Sequence, residues 1–256
     1  MKKGRPKLVF IDILVLIYGL VLGSFFNVVA IRLLKKESLA FPPSHCPQCN
    51  HRLHILDLIP VFSYLILQGR CRYCKTEISA LYPFGEMFTA VSIFFVYKFV
   101  GITIELIPAL LLTILLVISV LTDIREKLIL DIVTFPMLGL LVLSRLFIGT
   151  EPLWYYLLGG GIGFTLLLVI AIVSKGGMGG GDIKLYAAIG VALGPKLTIM
   201  SFVLASFAGA IVGSILLLLR IVKRSQPIPF GPFIYIGVLT AYIYGTELWR
   251  WYTSLW

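Results

Sequence analysis

Two aspartates and four cysteines hold most of the chemistry this sequence offers. Asp182 closes the run Gly176-Gly177-Met178-Gly179-Gly180-Gly181-Asp182-Ile183-Lys184, in which five of the six residues before the acid are glycine. Glycine lets a backbone turn sharply and lets another chain come close. An acid beside a long apolar run is costly to keep, and it reads as functional with a partner to be found. The expected partner is Asp123, in Leu121-Thr122-Asp123-Ile124-Arg125-Glu126-Lys127, which also ends an apolar run. Two carboxylates sharing one proton can hydrolyse a peptide bond: one activates water, and the other protonates the carbonyl oxygen or the leaving amine. Repulsion at close range keeps one of them protonated, so the pair titrates as a unit. The glycine loop suits this chemistry, because a substrate held as an extended strand needs backbone access beside the acid.

The cysteines read Cys46-Pro-Gln-Cys49 and, after 21 residues, Cys71-Arg-Tyr-Cys74. Two C-x-x-C knuckles at this separation match a four-thiolate structural zinc site, each knuckle offering two sulfurs to one tetrahedron. Four thiolates leave no open position, which argues against a catalytic zinc. The segment is too small for a core of its own, so the metal would supply its folding energy. Two disulfides are the alternative, disfavoured in a reducing cytosol. His45, His51 and His54 lie in the same segment and are expected at its surface or beside the ligands.

Other readings of the acids compete. An aspartate at a helix start is often an N-cap, which would suit Asp182 and, before the next apolar stretch, Asp131. The glycine run matches neither G-x-x-x-x-G-K-[ST] nor G-x-G-x-x-G, so a nucleotide loop is disfavoured. Serine-histidine catalysis is poorly supported, since every histidine sits in the cysteine segment. A transporter is the serious rival, because buried acids and broken helices also mark ion paths. A zinc-stabilised membrane scaffold without catalysis is another.

The elements that must position these residues are membrane helices. Of 256 residues, 59% are hydrophobic and 13% charged, and mean hydropathy is +1.00. That composition indicates an all-α polytopic membrane protein. Eight apolar stretches stand out, at about 8–34, 82–100, 104–121, 132–148, 153–174, 183–193, 197–221 and 228–244. The sixth is short and glycine-containing, as in a tilted or broken helix. The first is too long for a signal h-region and is expected to be retained. Three domains follow: a first transmembrane helix (1–34), a cytoplasmic four-cysteine segment (35–81) and a helical bundle (82–256). The formal charge of +10 fits basic loops facing anionic cytoplasmic lipid, and no nucleic-acid partner is expected. With the cysteine segment inside, Lys35, Lys36, Arg125, Lys127, Lys175, Lys223 and Arg224 all face the cytoplasm, whereas Glu105 and Glu151 face out. The basic tail at 2–7 opposes this arrangement, since eight spans place it outside.

The chain resembles the bacterial type IV prepilin peptidases, G-x-G-D aspartyl membrane proteases, nearly end to end. The resemblance rests on Gly23-Ser24-Phe25-Phe26-Asn27 with Arg32-Leu33, both knuckles, Asp57-Leu58-Ile59-Pro60, Gly69-Arg70-Cys71-Arg72, Tyr82-Pro83 with Glu86, Asp123, Gly179-Gly180-Gly181-Asp182-Ile183-Lys184, and Pro229-Phe230-Gly231-Pro232. One departure is Ile129-Leu130-Asp131, where the family usually has Ile-Pro-Asp. The resemblance implies a multi-pass enzyme of the bacterial inner membrane with its active site on the cytoplasmic side. It implies cleavage of prepilins or pseudopilins after a glycine, then N-methylation of the new terminal residue by S-adenosylmethionine. Asp123 and Asp182 would be the proteolytic pair, Gly179, Gly180, Gly181 and Lys184 their loop, and Cys46, Cys49, Cys71 and Cys74 the ligands of a structural zinc. Lys184 is expected either beside the pair or, preferentially, among lipid headgroups.

The methyl-transfer site is expected to work mainly by positioning the amine, with Asp57 or Glu86 holding the cofactor or the amine. Because the cytoplasmic face is basic, recognition is expected through the apolar pilin helix and the glycine at the cut, not through leader charge. The partners expected are prepilins and membrane lipid.

Overall fold

The computed structural model describes residues 6–223 and 228–254. Most of the basic tail and Arg224, both used in the topology argument, lie outside the described residues. Among the described residues every regular element is helical, and the chain divides into two compact units, Met1–Lys98 and Phe99–Trp256.

In the first unit α1 (Pro6–Leu34) and α3 (Leu81–Val100) pair along their length. Asn27 Nδ2 donates to the Tyr82 carbonyl at 2.9 Å, and Lys98 Nζ meets Asp12 Oδ2 at 2.6 Å. Between these ends Gly23 packs on Glu86 and Gly19 on Ala90. Contacts descend in α3 as they rise in α1, so the helices are antiparallel. The residues between them hold two isolated bridges, His45 with Arg52 and Arg70 with Glu77, a short 3-10 turn (Ile55–Leu58) and α2 (Phe62–Ile66). Buried Arg32 fixes the start of this segment by donating to the carbonyls of Ser38, Leu39 and Pro42.

The second unit holds α4 (Leu106–Glu126), α5 (Asp131–Phe147), α6 (Leu153–Val173), α7 (Gly180–Leu193), α8 (Pro195–Leu218) and α9 (Gly231–Thr253). α7 has only 14 residues and packs against α4, α5, α6, α8 and α9. It enters that crowd on small residues: a Cβ on Gly190 would overlap the Gly159 backbone of α6. Gly194 (φ 75°) turns the chain at its end, and Pro195 opens α8, where a missing N–H costs nothing. Far along the chain from the acids, buried Arg145 donates to the Ala192 carbonyl at the end of α7 and to Glu105 Oε1 at 2.7 Å, and it lies over the Tyr156 ring. A guanidinium there satisfies a terminal carbonyl and complements the negative end of the α7 dipole.

Among the described residues, eight helices of 14 residues or more overlap the eight expected apolar stretches. Five of them (α1, α3, α4, α6 and α8) are long and apolar enough to cross a membrane. α5 and α7, with 17 and 14 residues, are shorter than such a span. α9 runs to Thr253 through Glu247 and Arg250, well past the apolar stretch expected to end at 244. α4 likewise continues to Glu126, so Asp123 lies within the helix rather than just beyond it.

Candidate active site and cysteine cluster

Asp123 occupies the last turn of α4 and is 6% exposed. Its Oδ2 accepts a hydrogen bond from the Gly231 N–H at 2.6 Å. Gly231 is the first residue of α9, so this donor is one of the amides a helix start leaves unpaired, at the positive end of the dipole. A side chain at 231 is excluded by the acid itself, because its Cβ would lie 2.8 Å from Asp123 Oδ2.

Asp182 is the third residue of α7. Its N–H donates to the Gly179 carbonyl at 3.1 Å, and Gly179 holds the N-cap position. The acid is therefore not the cap of this helix. Both acids belong to the same compact unit, α4 and α7 being packed together.

Residues 127–135 tie the two helices. Lys127 ends α4 in a left-handed conformation (φ 55°), its N–H bonded to the Asp123 carbonyl at 2.8 Å. Ile129 then packs on Gly181, where a Cβ would come within 2.8 Å. Asp131, at the start of α5, is not an N-cap either, that position being held by Leu130. Instead Asp131 Oδ2 receives Lys184 Nζ at 2.6 Å, with the ammonium also over the Phe135 ring. Lys184 thus has a protein partner on α5, which was not foreseen from sequence. A cation in the first turns of a helix opposes the dipole, and the Asp131 carboxylate offsets it.

The four cysteines come together. Their sulfurs all lie within 4.8 Å of one another, and Cys46 Sγ and Cys74 Sγ are 3.8 Å apart. A tetrahedral ion with bonds of about 2.3 Å places its sulfurs about 3.8 Å apart. The knuckles repeat one turn: Asn50 N–H donates to the Cys46 carbonyl and Lys75 N–H to that of Cys71, and Asn50 and Lys75 both have positive φ. None of the four is in a disulfide. Hydrogen bonds from the Thr76 side chain and backbone hold the Cys74 thiol down to about 6, whereas at Cys49 the His51 backbone is outweighed by burial and the neighbouring sulfurs, which push that thiol up to about 11. The donor set fits zinc. His45 is turned to the Pro43 carbonyl and His51 lies on the Tyr73 ring at 3.6 Å, outside the cluster.

Asp57 and Glu86 both brace the turn between the knuckles. Asp57 Oδ1 accepts from Arg72 Nε at 2.6 Å and Oδ2 from the His54 N–H at 3.2 Å. Burial raises the Asp57 carboxyl, but the Arg72 guanidinium and the His54 backbone outweigh it and hold the group below the ordinary aspartate range. Glu86 Oε2 accepts the N–H of Val61 at 2.7 Å. Val61 has φ 62°, a true outlier for a β-branched residue. The amide of Gly231 is the feature sequence reading missed. Its signal lay in Gly231-Pro232, where proline at the second helical position announces a helix start.

Comparison with known proteins covers nearly the whole chain. Residues 17–100 match the model of the bacterial peptidase A24 N-terminal domain, and residues 110–214 that of the type IV leader peptidase family. The chain is 37% identical over 239 residues to a prepilin leader peptidase/N-methyltransferase of Bacillus subtilis, covering 93% of this chain and 96% of the relative. Proteins of the same name from Aeromonas salmonicida (37% identical; 98% and 96% covered) and Pseudomonas aeruginosa (34%; 93% and 91%) are also similar. No solved structure matches. With both halves of the chain matched and relatives covered almost whole, the protein belongs to the type IV leader peptidase family.

Proposed function

We propose that this chain cleaves the leader of type IV prepilins or pseudopilins after a glycine, at the cytoplasmic face of the inner membrane, and then N-methylates the new terminus. What supports the proteolytic half is that Asp123 and Asp182 stand on helices packed together in one unit, with Asp123 held by the Gly231 amide. One carboxylate, ionised, takes a proton from water as it attacks the scissile carbonyl. The other, protonated, gives its proton to the carbonyl oxygen, and the departing amine is protonated in turn. The Gly231 N–H stabilises negative charge on Oδ2 of Asp123. Gly179 keeps the approach to Asp182 free of a side chain, since a Cβ there would lie 2.9 Å from Asp182 Oδ2, while Gly181 makes room for Ile129.

Cys46, Cys49, Cys71 and Cys74 would hold zinc in a structural role, fastening the ends of the 46–74 loop. The eight-fold crossing of the membrane, with α5, α7 and α9 as additional spans, belongs to the same proposal. S-adenosylmethionine, when bound, supplies the methyl group. Asp57 or Glu86 would hold the cofactor or the amine, and both also brace the 54–61 turn through Arg72, His54 and Val61. The acceptor must be a neutral amine, and an α-amino group with pKa about 7.7–8.0 supplies a useful neutral fraction without a strong base.

The test is purified enzyme with a prepilin, with and without S-adenosylmethionine, read by mass spectrometry. Wild type should yield the trimmed chain, and that chain plus 14 Da (about one methyl in place of hydrogen) only with the methyl donor. Asp123→Ala and Asp182→Ala should yield neither from intact prepilin, yet should methylate a pre-trimmed pilin. Cleavage by either variant at the wild-type rate rejects the pair.

A further inference from the structure

The run Ile55-Leu56-Asp57-Leu58-Ile59-Pro60-Val61-Phe62-Ser63-Tyr64-Leu65-Ile66 contains one charge and lies in an otherwise polar segment. Its apolar side chains are turned outward. Ile55 is 85% exposed and Ile66 76%, with Leu56, Phe62 and Leu65 also exposed. Phe62, Leu65 and Ile66 stand at i, i+3 and i+4 of α2, and so form one face of it. Tyr64 lies on the other side, against Gly69 within the segment. A segment surrounded by water would turn such a helix the other way.

The depth of this run is set by hydrogen bonds within the first unit. Glu86 holds the Val61 amide at 2.7 Å, and Glu86 is level with Gly23 of α1. In the sequence the apolar part of α1 starts at Leu8. A hydrocarbon core of about 30 Å consumes about 20 helical residues at 1.5 Å each, which brings its far boundary to about residue 29. Val61 therefore lies beside the helix pair at or somewhat inside that boundary. The ends of the segment continue into α1 and α3, both able to cross a membrane, so it is tethered to the bilayer at two points. Residues 35–81 also carry six Lys or Arg against three Asp or Glu, which complements anionic headgroups.

We infer that residues 55–66 form an interfacial anchor, with the exposed face of α2 and the side chains of Ile55 and Leu56 inserted among phospholipid acyl chains next to α1 and α3. The cysteine cluster then lies against the membrane surface, where a substrate with an apolar helix presents its freshly cut end. This rests on α1 and α3 spanning the bilayer and does not depend on the proteolytic assignment of Asp123 and Asp182.

The test uses the unaltered full chain in nanodiscs of phosphatidylethanolamine and phosphatidylglycerol, doped with a phospholipid bearing a diazirine near the carbonyl end of its acyl chain. After irradiation and trypsin digestion, adducts are counted by mass spectrometry on the 53–70 peptide, on the 37–52 peptide and on α1, whose Phe25 is exposed. Adducts on 53–70 should come within about threefold of those on α1 and exceed those on 37–52 by about tenfold, as for a face buried 5–10 Å into the headgroup and acyl boundary. Labelling of α1 with none on 53–70 above the 37–52 level overturns the inference. That result, with 53–70 nonetheless protected from hydrogen exchange, would mean that protein covers the face instead of lipid.

Discussion

Gly231→Ala isolates the contribution of one backbone amide to the acid pair. The substitution adds a single carbon, which would lie 2.8 Å from Asp123 Oδ2 and 3.1 Å from its Cβ. Neither can stay, so the carboxylate must rotate or α9 must draw back, and the 2.6 Å hydrogen bond from the Gly231 amide is lengthened or lost. A hydrogen bond to a charged group contributes about 1.5–3 kcal/mol, equivalent to about 10- to 150-fold in rate. A reacting group displaced by about 1 Å can cost about 100-fold in its own right. Alanine meanwhile favours a helix over glycine by up to about 1 kcal/mol, so the fold should not suffer in proportion. We expect kcat for prepilin cleavage to fall about 100-fold with KM nearly unchanged, an unaltered melting temperature, and normal methylation of pre-trimmed pilin. Gly209→Ala is the control, its Cβ meeting only ordinary contacts at 3.4 Å and beyond. The assay is quantitative cleavage of a prepilin in detergent. Gly231→Ala cleaving within about threefold of wild type would refute the reasoning, since orientation of Asp123 would then owe nothing measurable to that amide.

Three other outcomes are expected. Asp131→Asn or Lys184→Met should change melting by no more than the roughly 0–1 kcal/mol of an exposed ion pair, yet should slow cleavage by loosening the first turn of α7; the exchanged pair Asp131→Lys with Lys184→Asp should recover part of the rate. Removing the metal with a chelator, or Cys46→Ser, should raise hydrogen exchange over residues 44–76 and cut methylation by more than about tenfold, while cleavage of a peptide substrate persists, because both acids belong to the other unit. The Asp57 carboxyl ionises at lower pH when folded than when unfolded. It therefore stabilises the 54–61 turn above the ordinary aspartate range near 3.9, and that support is lost as pH falls through the folded value. Exchange at 54–61 should accelerate on acidification in wild type and stay flat in Asp57→Asn.

The parts legible in the sequence were those written as local patterns. Eight apolar stretches became eight helices, and two knuckles became one cluster of sulfurs. The acids, 59 positions apart, could be paired from sequence only by assuming a common membrane face; the structure places them on two helices that pack together, α4 and α7. Less legible were features that depend on which surfaces meet. Asp131 looked like a cap, but its carboxylate answers Lys184 across two helices. Arg145 carried no signal, because its partners Ala192 and Glu105 are 47 and 40 positions away. The end of α9 was set short because apolarity fades after Tyr244, although the backbone hydrogen bonds of a helix do not require an apolar surface.

In the proposed function the brevity of α7 would act as a ruler. Fourteen residues reach about 21 Å, some 9 Å less than a hydrocarbon layer of about 30 Å. With its far end level with those of its neighbours, such a rod would hold Asp182, in its first turn, beneath the surface. An incoming chain that is itself anchored by an apolar helix can bring only one stretch of backbone down to that level. Each residue of extended chain covers about 3.3–3.6 Å, so a bond one or two places nearer to the anchor, or farther from it, is held away from the water. The position of the cut would in this way be measured from the client's own anchor, and a glycine there would ease the backbone down to that level.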